Sequence, residues 1–345
     1  MPSSADGADN VRTPAGHAGG HLRRLVLIVG SGRSGTSTLT GVLKRLGMYV
    51  PQPEVPADRS NPRGFGEPQW VVDFHSRLLK RAGVRTADAA PDAHRHTAML
   101  AANHEVRDRL STWLSAQFEI SSDVLVKDPR LLWFLDVWRE SASDLGADVS
   151  SITMLRSPTE VVRSKATNYH RFSPSVMVSG WINTMLLAER LTRGSRRSFL
   201  RYADILADWR SPVFGMARLL DITPVLHADE ELRRRVDEYI DPGLRRSGVE
   251  WDGLPVSREL LQLADDVWAE LSASAEEIDA PGVTARLDAL FARHQMTHRN
   301  LMASTLYLRM ADRIPRQVVA AVPERVQARL SQVMRPLLDE RAQHG

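Results

Sequence analysis

The chain's fold is most narrowly limited by one short stretch. Leu25-Val-Leu-Ile-Val29 is an unbroken apolar run, Gly30-Ser-Gly-Arg-Ser-Gly-Thr-Ser37 follows it, and Leu39, Val42, Leu43 and Leu46 then recur at helical spacing. A continuous apolar run of this length is the pattern of a strand buried on both faces, which belongs in a parallel sheet, and the spacing after it is that of an amphipathic helix. Strand, glycine-rich turn and helix in that order predict an α/β protein whose first crossover cradles an anion. Gly30, Gly32 and Gly35 let the backbone curl so that successive N–H groups converge, and a helix opening near Thr36 adds the positive end of its dipole.

The loop departs from the nucleotide-binding pattern in an informative way. Gly30 and Gly35 have the spacing of the P-loop, G-x-x-x-x-G-K-[ST], but the lysine position holds Thr36 while Ser37 keeps the hydroxyl. A nucleoside triphosphatase built on this loop lacks its main phosphate cation. Arg33, inside the loop, offers a forked donor suited to phosphate or sulfate oxygens.

Two further crossovers supply charge. The apolar run Asp123-Val-Leu-Val126 ends in Lys127-Asp-Pro-Arg130, and Ser151-Ile-Thr-Met-Leu155 leads into Arg156-Ser-Pro-Thr-Glu160. Ligands of doubly wound sheets lie outside the carboxyl ends of the strands, so the loop, Lys127 and Arg156 are expected on one rim. Ser157 as cap, Pro158 at the first helical position and Glu160 three residues after the cap form a capping box. Ser164 then falls about two turns along the same helix. Ser198-Phe-Leu-Arg-Tyr202 reads as another strand. Between the first two strands, residues 51–68 are dense in proline, glycine and charge and include Asn61-Pro-Arg-Gly-Phe-Gly-Glu67-Pro68. Glu67 precedes a helix carrying Trp70, Val71, Phe74, Leu78 and Leu79; it is either an acid favoured by the helix dipole or a carboxylate at the mouth of the anion site.

Together these segments resemble the PAPS-dependent sulfotransferase family, over roughly residues 22–248. Gly32-Arg-Ser-Gly-Thr-Ser37 is similar to that family's 5′-phosphosulfate loop, with Gly32 where proline is usual. Arg156 followed by Pro158 and, eight positions on from the arginine, Ser164 resembles its 3′-phosphate motif. The resemblance implies a P-loop-like sulfotransferase fold, a parallel central sheet with flanking helices, and 3′-phosphoadenosine 5′-phosphosulfate (PAPS) as donor. It assigns Gly32, Arg33, Ser34, Gly35, Thr36 and Ser37 to the phosphosulfate, with Arg33 and Lys127 acting on the transferring group. Arg156 and Ser164 are assigned to the 3′-phosphate. Tyr202 would face the adenine or be a core tyrosine, and Arg245 or Arg246, in Ile240-Asp-Pro-Gly-Leu-Arg-Arg246, would add a late phosphate contact. The stretch ending at Glu67 is similar to the N-P-[RK]-G-[FY]-W-E of many bacterial members, with Gly66 in place of tryptophan, a loss expected to widen the pocket. Pro129 stands where animal members carry a catalytic histidine, so the base must come from elsewhere. Glu67 is the first candidate, ahead of His75 and His170.

Composition removes other classes. Without cysteine there is no disulfide, thiolate nucleophile or Cys-ligated zinc. The 45 basic residues nearly balance 42 acidic ones for a net charge of +3, and no basic run or nucleic-acid motif accompanies them, so no nucleic-acid partner is expected. No apolar stretch reaches the roughly 18 residues of a membrane span. Residues 1–20, rich in Ser, Ala, Asp, Gly and Pro, read as a disordered tail without a signal peptide, so a cytoplasmic location is expected.

Residues 85–104 are polar and alanine-rich, and their histidines, His94, His96 and His104, do not make a convincing metal site. His294 and His298 have the spacing of a zinc helix but Gln295 replaces its glutamate, so they read as a polar helix face. No metal is expected. Residues 21–250 are expected to form the sulfotransferase domain and residues 251–345 a helical extension, with Leu260, Leu263, Val267 and Leu271 in one stretch and Val318, Val322, Val326 and Leu330 in another. Prolines at 281, 315, 323 and 336 suggest several short helices there. That extension suits a homodimer contact, an acceptor lid or a membrane-surface helix. The expected activity is sulfuryl transfer to a hydroxyl, or an amine, of a carbohydrate, lipid or secondary metabolite. The acceptor is a small molecule, glycan or lipid, and Trp70, Trp133, Phe134 and Trp138 are candidates to line its cleft, although aromatics at helical spacing are usually core. The alternatives are a nucleotide-binding scaffold without turnover and a P-loop small-molecule kinase.

Overall fold

The apolar run at residues 25–29 does become a strand buried on both faces, and its alternate side chains divide the interior in two. A computed structural model describes residues 22–59, 61–168, 172–241, 243 and 251–311. In chain order the elements are β1 (Arg23–Val29), α1 (Thr36–Arg45), α2 (Gln69–Ala82), α3 (Ala93–Ala101), α4 (His104–Phe118), β2 (Asp123–Lys127), a 3-10 turn (Leu131–Phe134), α5 (Leu135–Asp144), β3 (Ala147–Leu155), α6 (Pro158–Asn168) and α7 (Pro174–Thr192). They continue with β4 (Arg196–Arg201), α8 (Tyr202–Ala207), α9 (Arg210–Leu220), α10 (Thr223–Leu226), α11 (Glu230–Tyr239), α12 (Arg258–Ala273) and α13 (Val283–Ala311).

The four strands form one parallel sheet in the order β2-β1-β3-β4. Ile28 is in register with both Lys127 and Ile152, and Leu155 with Arg201, so the strands end together on one rim. Leu25, Leu27 and Val29 face a cluster shared with Val124 and Val126 and with residues of α2 to α7. Val26 and Ile28 face the opposite way, toward Leu39, Val42 and Leu43 of α1 and the short helices after β4. Both faces of the sheet are therefore covered by helices, as a purely parallel sheet requires.

Several expectations are corrected. The strand read at residues 198–202 runs from Arg196 to Arg201, and Tyr202 instead opens α8. The polar stretch 85–104 contains α3, with Ala93, Thr97 and Ala101 buried, because its alanines and threonine recur on one helical face. Trp133, Phe134 and Trp138 are core residues rather than a cleft lining. Trp70 stacks on Phe74 at 4.8 Å and on Trp113 at 4.6 Å, and Trp113 meets the edge of Trp138. His294 is likewise buried, not on a polar face; burial, together with His298 beside it, pulls its pKa down to about 4.

In the C-terminal stretch Pro281 does separate α12 from α13, but α13, which runs 29 residues before Pro315, is longer than the short helices expected. Leu260, Leu263 and Leu271 of α12 and Leu287 and Phe291 of α13 join the cluster that packs on α7. Val318, Val322, Val326 and Leu330, like the tail at residues 1–20, lie outside the described residues. No described helix is long and apolar enough to cross a membrane.

Candidate functional site

Two of the three glycines expected to curl the loop between β1 and α1 do so: Gly30 at φ 129°, where a Cβ would lie 2.9 Å from the Met154 carbonyl oxygen, and Gly35. Gly32 does not take a left-handed conformation, and nothing lies within 4 Å of where its Cβ would be. Arg33 takes it instead, at φ 72°, a conformation that costs a non-glycine residue about 1–2 kcal/mol. The turn thus spends backbone strain on placing the Arg33 side chain. Gly35, at φ 89°, is the residue before α1, and a Cβ there would lie 2.1 Å from the ring of Tyr202. Gly35→Ala is therefore expected to destabilise the protein by about 1–3 kcal/mol, read as a lower midpoint of denaturant unfolding; an unchanged midpoint would mean that the loop is free to relax away from Tyr202.

Three elements bring charge to this loop. From α6, Ser164 Oγ accepts a hydrogen bond from Arg33 Nε at 3.0 Å. From the end of β3, Arg156 Nη1 donates to the Arg33 carbonyl at 3.0 Å, and its guanidinium lies 4.8 Å from the centre of the Tyr202 ring. Glu160, read as half of a capping box, turns back to accept from Arg156 Nε at 2.7 Å, which fixes the arginine against the loop. Lys165, one residue past Ser164, reaches Ser31 Oγ at 3.0 Å. Sequence reasoning passed over this lysine; its only signal was scarcity, since lysine occurs at just four positions among 45 basic residues.

On the other side, Lys127 at the end of β2 is 3% exposed, and its Nζ donates to Ser37 Oγ and the Phe65 carbonyl, both at 3.2 Å, and to Glu67 Oε1 at 2.5 Å. Glu67 is buried beside it. Burial pushes the Glu67 carboxyl up; Lys127 pulls it part of the way back, Asp128 adds to the rise, and the net shift is above the usual carboxylate range. Inside the loop, Ser34 Oγ is fully buried and has no hydrogen-bond partner among the described residues.

The remaining candidates separate clearly. His75 is wholly buried; its Nδ1 pairs with Asp128 Oδ2 at 2.7 Å and its Nε2 accepts from Trp138 Nε1 at 2.9 Å, so both nitrogens are engaged in the core. It ties the turn after Lys127 to α2 and α5, with both ring nitrogens turned away from the loop and into the core. Gly66, at φ 64°, places its missing Cβ 2.6 Å from Thr40 Cγ2, so the backbone has settled where no large residue fits. A cleft of about 440 Å³ opens beside it, lined among others by Ser37, Thr40, Lys44, Arg63 and Tyr239. His170, Arg245 and Arg246 lie outside the described residues.

A parallel sheet covered by helices on both faces, with a glycine-rich loop after its first strand and cations brought to that loop from the ends of two neighbouring strands, defines the class: an α/β protein with a charged crossover loop on the carboxyl rim of its sheet. Among solved structures the chain is similar to the sulfotransferase domain of the Synechococcus PCC 7002 olefin synthase, at 20% identity and a TM-score of 0.42, covering 71% of this chain and 95% of that one. It is similar to the sulfotransferase domain of the curacin biosynthetic pathway at 15% identity and TM-score 0.42, covering 73% and 99% of the two chains. It is also similar to sulfotransferase STF1 from Mycobacterium tuberculosis H37Rv, at 15% identity and TM-score 0.36, covering 72% and 77%. No protein-family model and no curated protein matches the chain.

Proposed function

We propose that the protein is a sulfotransferase that moves a sulfuryl group from PAPS to an acceptor hydroxyl or, second to it, an amine. One observation carries this reading: a single loop is met on one side by Arg156 and Ser164 and on the other by the Lys127–Glu67 pair. A donor with phosphate at both ends of a nucleoside suits such a split arrangement. The residues present fit that group. The buried, unpartnered Ser34 hydroxyl and the loop N–H groups suit its 5′ end, with Arg33, Gly32, Gly35, Thr36 and Ser37 around it, while Arg156 and Ser164 suit its 3′-phosphate.

The donor supplies an activated sulfuryl group, and the chain supplies position and charge. In this reading Lys127 neutralises the leaving phosphate oxygen, Arg33 covers the sulfuryl oxygens, and Glu67 takes the proton from the acceptor as its oxygen bonds to sulfur. The Tyr202 ring, buried against Gly35 and under Arg156, supports a core role that braces the loop, as much as an adenine contact.

The kinase reading needs magnesium held by Ser37 and a strand-end aspartate. Asp128 is that aspartate, yet it is buried with Oδ2 on His75 and Oδ1 on Arg130, and the Ser37 hydroxyl accepts from Lys127. Turnover is accordingly expected to persist in a chelator, because protein cations rather than a metal cover the transferred group. Loss of turnover in chelator with rescue by magnesium would restore the kinase. Calorimetric titration with 3′,5′-adenosine bisphosphate against ATP tests the proposal directly: preference for the bisphosphate is expected, and preference for ATP overturns it. A donor-turnover assay then separates an enzyme from a binding scaffold.

A further inference from the structure

The loop lacks the lysine that a P-loop of this spacing carries, since Thr36 occupies the position. A lysine nevertheless arrives at the same loop from a different element. Lys165 stands on α6 immediately after Ser164, is 8% exposed, and places Nζ 3.0 Å from Ser31 Oγ. Among the described residues no carboxylate pairs with it. Burial alone brings its pKa to about 8, so near neutral pH a buried ammonium sits at the loop without a counter-ion. Such a charge is unfavourable for the fold and is normally paired, or replaced by an apolar side chain.

We propose that Lys165 is an anion-binding residue of the loop, supplying from α6 the charge that Thr36 cannot supply from α1. Three observations converge on this. Its Nζ touches the loop one residue before Gly32, while its neighbour Ser164 already holds Arg33 of the same loop. The Ser34 hydroxyl, buried in that loop, still lacks a partner among the described residues, as a hydroxyl kept for a ligand would. And in a chain with 45 basic residues and only four lysines, two of the four, Lys127 and Lys165, are buried at this one loop. A guanidinium is bulkier, and an ammonium is a compact point charge that a buried site of this size can hold. The counter-ion missing from the protein is then the ligand, an oxyanion of the phosphate or phosphosulfate class. The inference rests on the loop being an anion site and deepens the donor reading.

The test compares Lys165→Met and Lys165→Gln with the unaltered full chain, by calorimetry with two probes, inorganic pyrophosphate and 3′,5′-adenosine bisphosphate, alongside thermal unfolding. Both variants are expected to bind both probes at least tenfold more weakly, while Lys165→Met unfolds at the same or a higher temperature because an unpaired buried charge has gone. Unchanged binding by Lys165→Met overturns the proposal. So does recovery of binding in Lys165→Gln, which keeps a donor for Ser31 but no charge and would show that the lysine merely props the loop. If the unaltered protein binds pyrophosphate but not the bisphosphate, the donor reading fails and Lys165 is judged on pyrophosphate alone. If it binds neither, the loop is no anion site and both fall.

Discussion

Glu67→Gln lowers kcat by about 100-fold or more while binding of 3′,5′-adenosine bisphosphate survives: that is the outcome expected if Glu67 is the general base. The substitution keeps the shape of the side chain and an oxygen for Lys127, and removes only the basicity. Its pH profile adds a second readout. The Glu67 carboxyl is held above its usual range by burial, so it is protonated and inactive as a base at low pH, and kcat should rise with pH through an ionisation higher than that of an ordinary glutamate. That limb should vanish in the glutamine variant. Stability has the opposite sign. A carboxyl with a raised pKa in the folded state contributes stability below its unfolded value, and loses that contribution as pH climbs through the folded one. Activity and stability should therefore diverge on the acid side. Near-normal turnover in Glu67→Gln would move the base elsewhere; His170, which lies outside the described residues, is then the next variant to measure.

Arg156→Ala should weaken the bisphosphate by about 1.5–3 kcal/mol, or roughly 10- to 150-fold, while an analogue lacking the 3′-phosphate loses much less. The discrimination matters because Arg156 also has structural contacts: it bonds the Arg33 carbonyl, pairs with Glu160 and lies over the Tyr202 ring. If those contacts were its whole purpose, removing it would disturb the loop and weaken both ligands equally. Equal weakening is thus the result that would remove Arg156 from the 3′-phosphate.

The central β1–loop–α1 unit was legible because a strand buried on both faces must be continuously apolar, and few other structures leave that trace. The placement of Lys127 and Arg156 on one rim followed from the same rule, since parallel strands in register end together. What could not be read depends on backbone angles and on packing across the chain. Residue type favoured Gly30, Gly32 and Gly35 as the flexible members of the loop, yet Arg33 rather than Gly32 took the left-handed conformation between the other two. Trp133 and Trp138 have spacings that fit a core more often than a cleft, and the packing of α4 on α5 decides for the core. Nothing in the sequence sets Lys165 apart from any other helix lysine, because that its face of α6 is covered is a tertiary fact.

The short contact between Lys127 and Glu67 also carries a consequence for the order of events. While the ammonium leans on the carboxylate, each mutes the other: the glutamate is a weaker base than its burial alone would make it, and the lysine's charge is already spent. In the proposed chemistry an arriving phosphosulfate draws on the same ammonium, and as it does so the pull on Glu67 slackens and the carboxylate becomes more basic. On that proposal the pair acts as an interlock, in which Glu67 is armed as a base by the donor, and an acceptor that enters first meets a disarmed site.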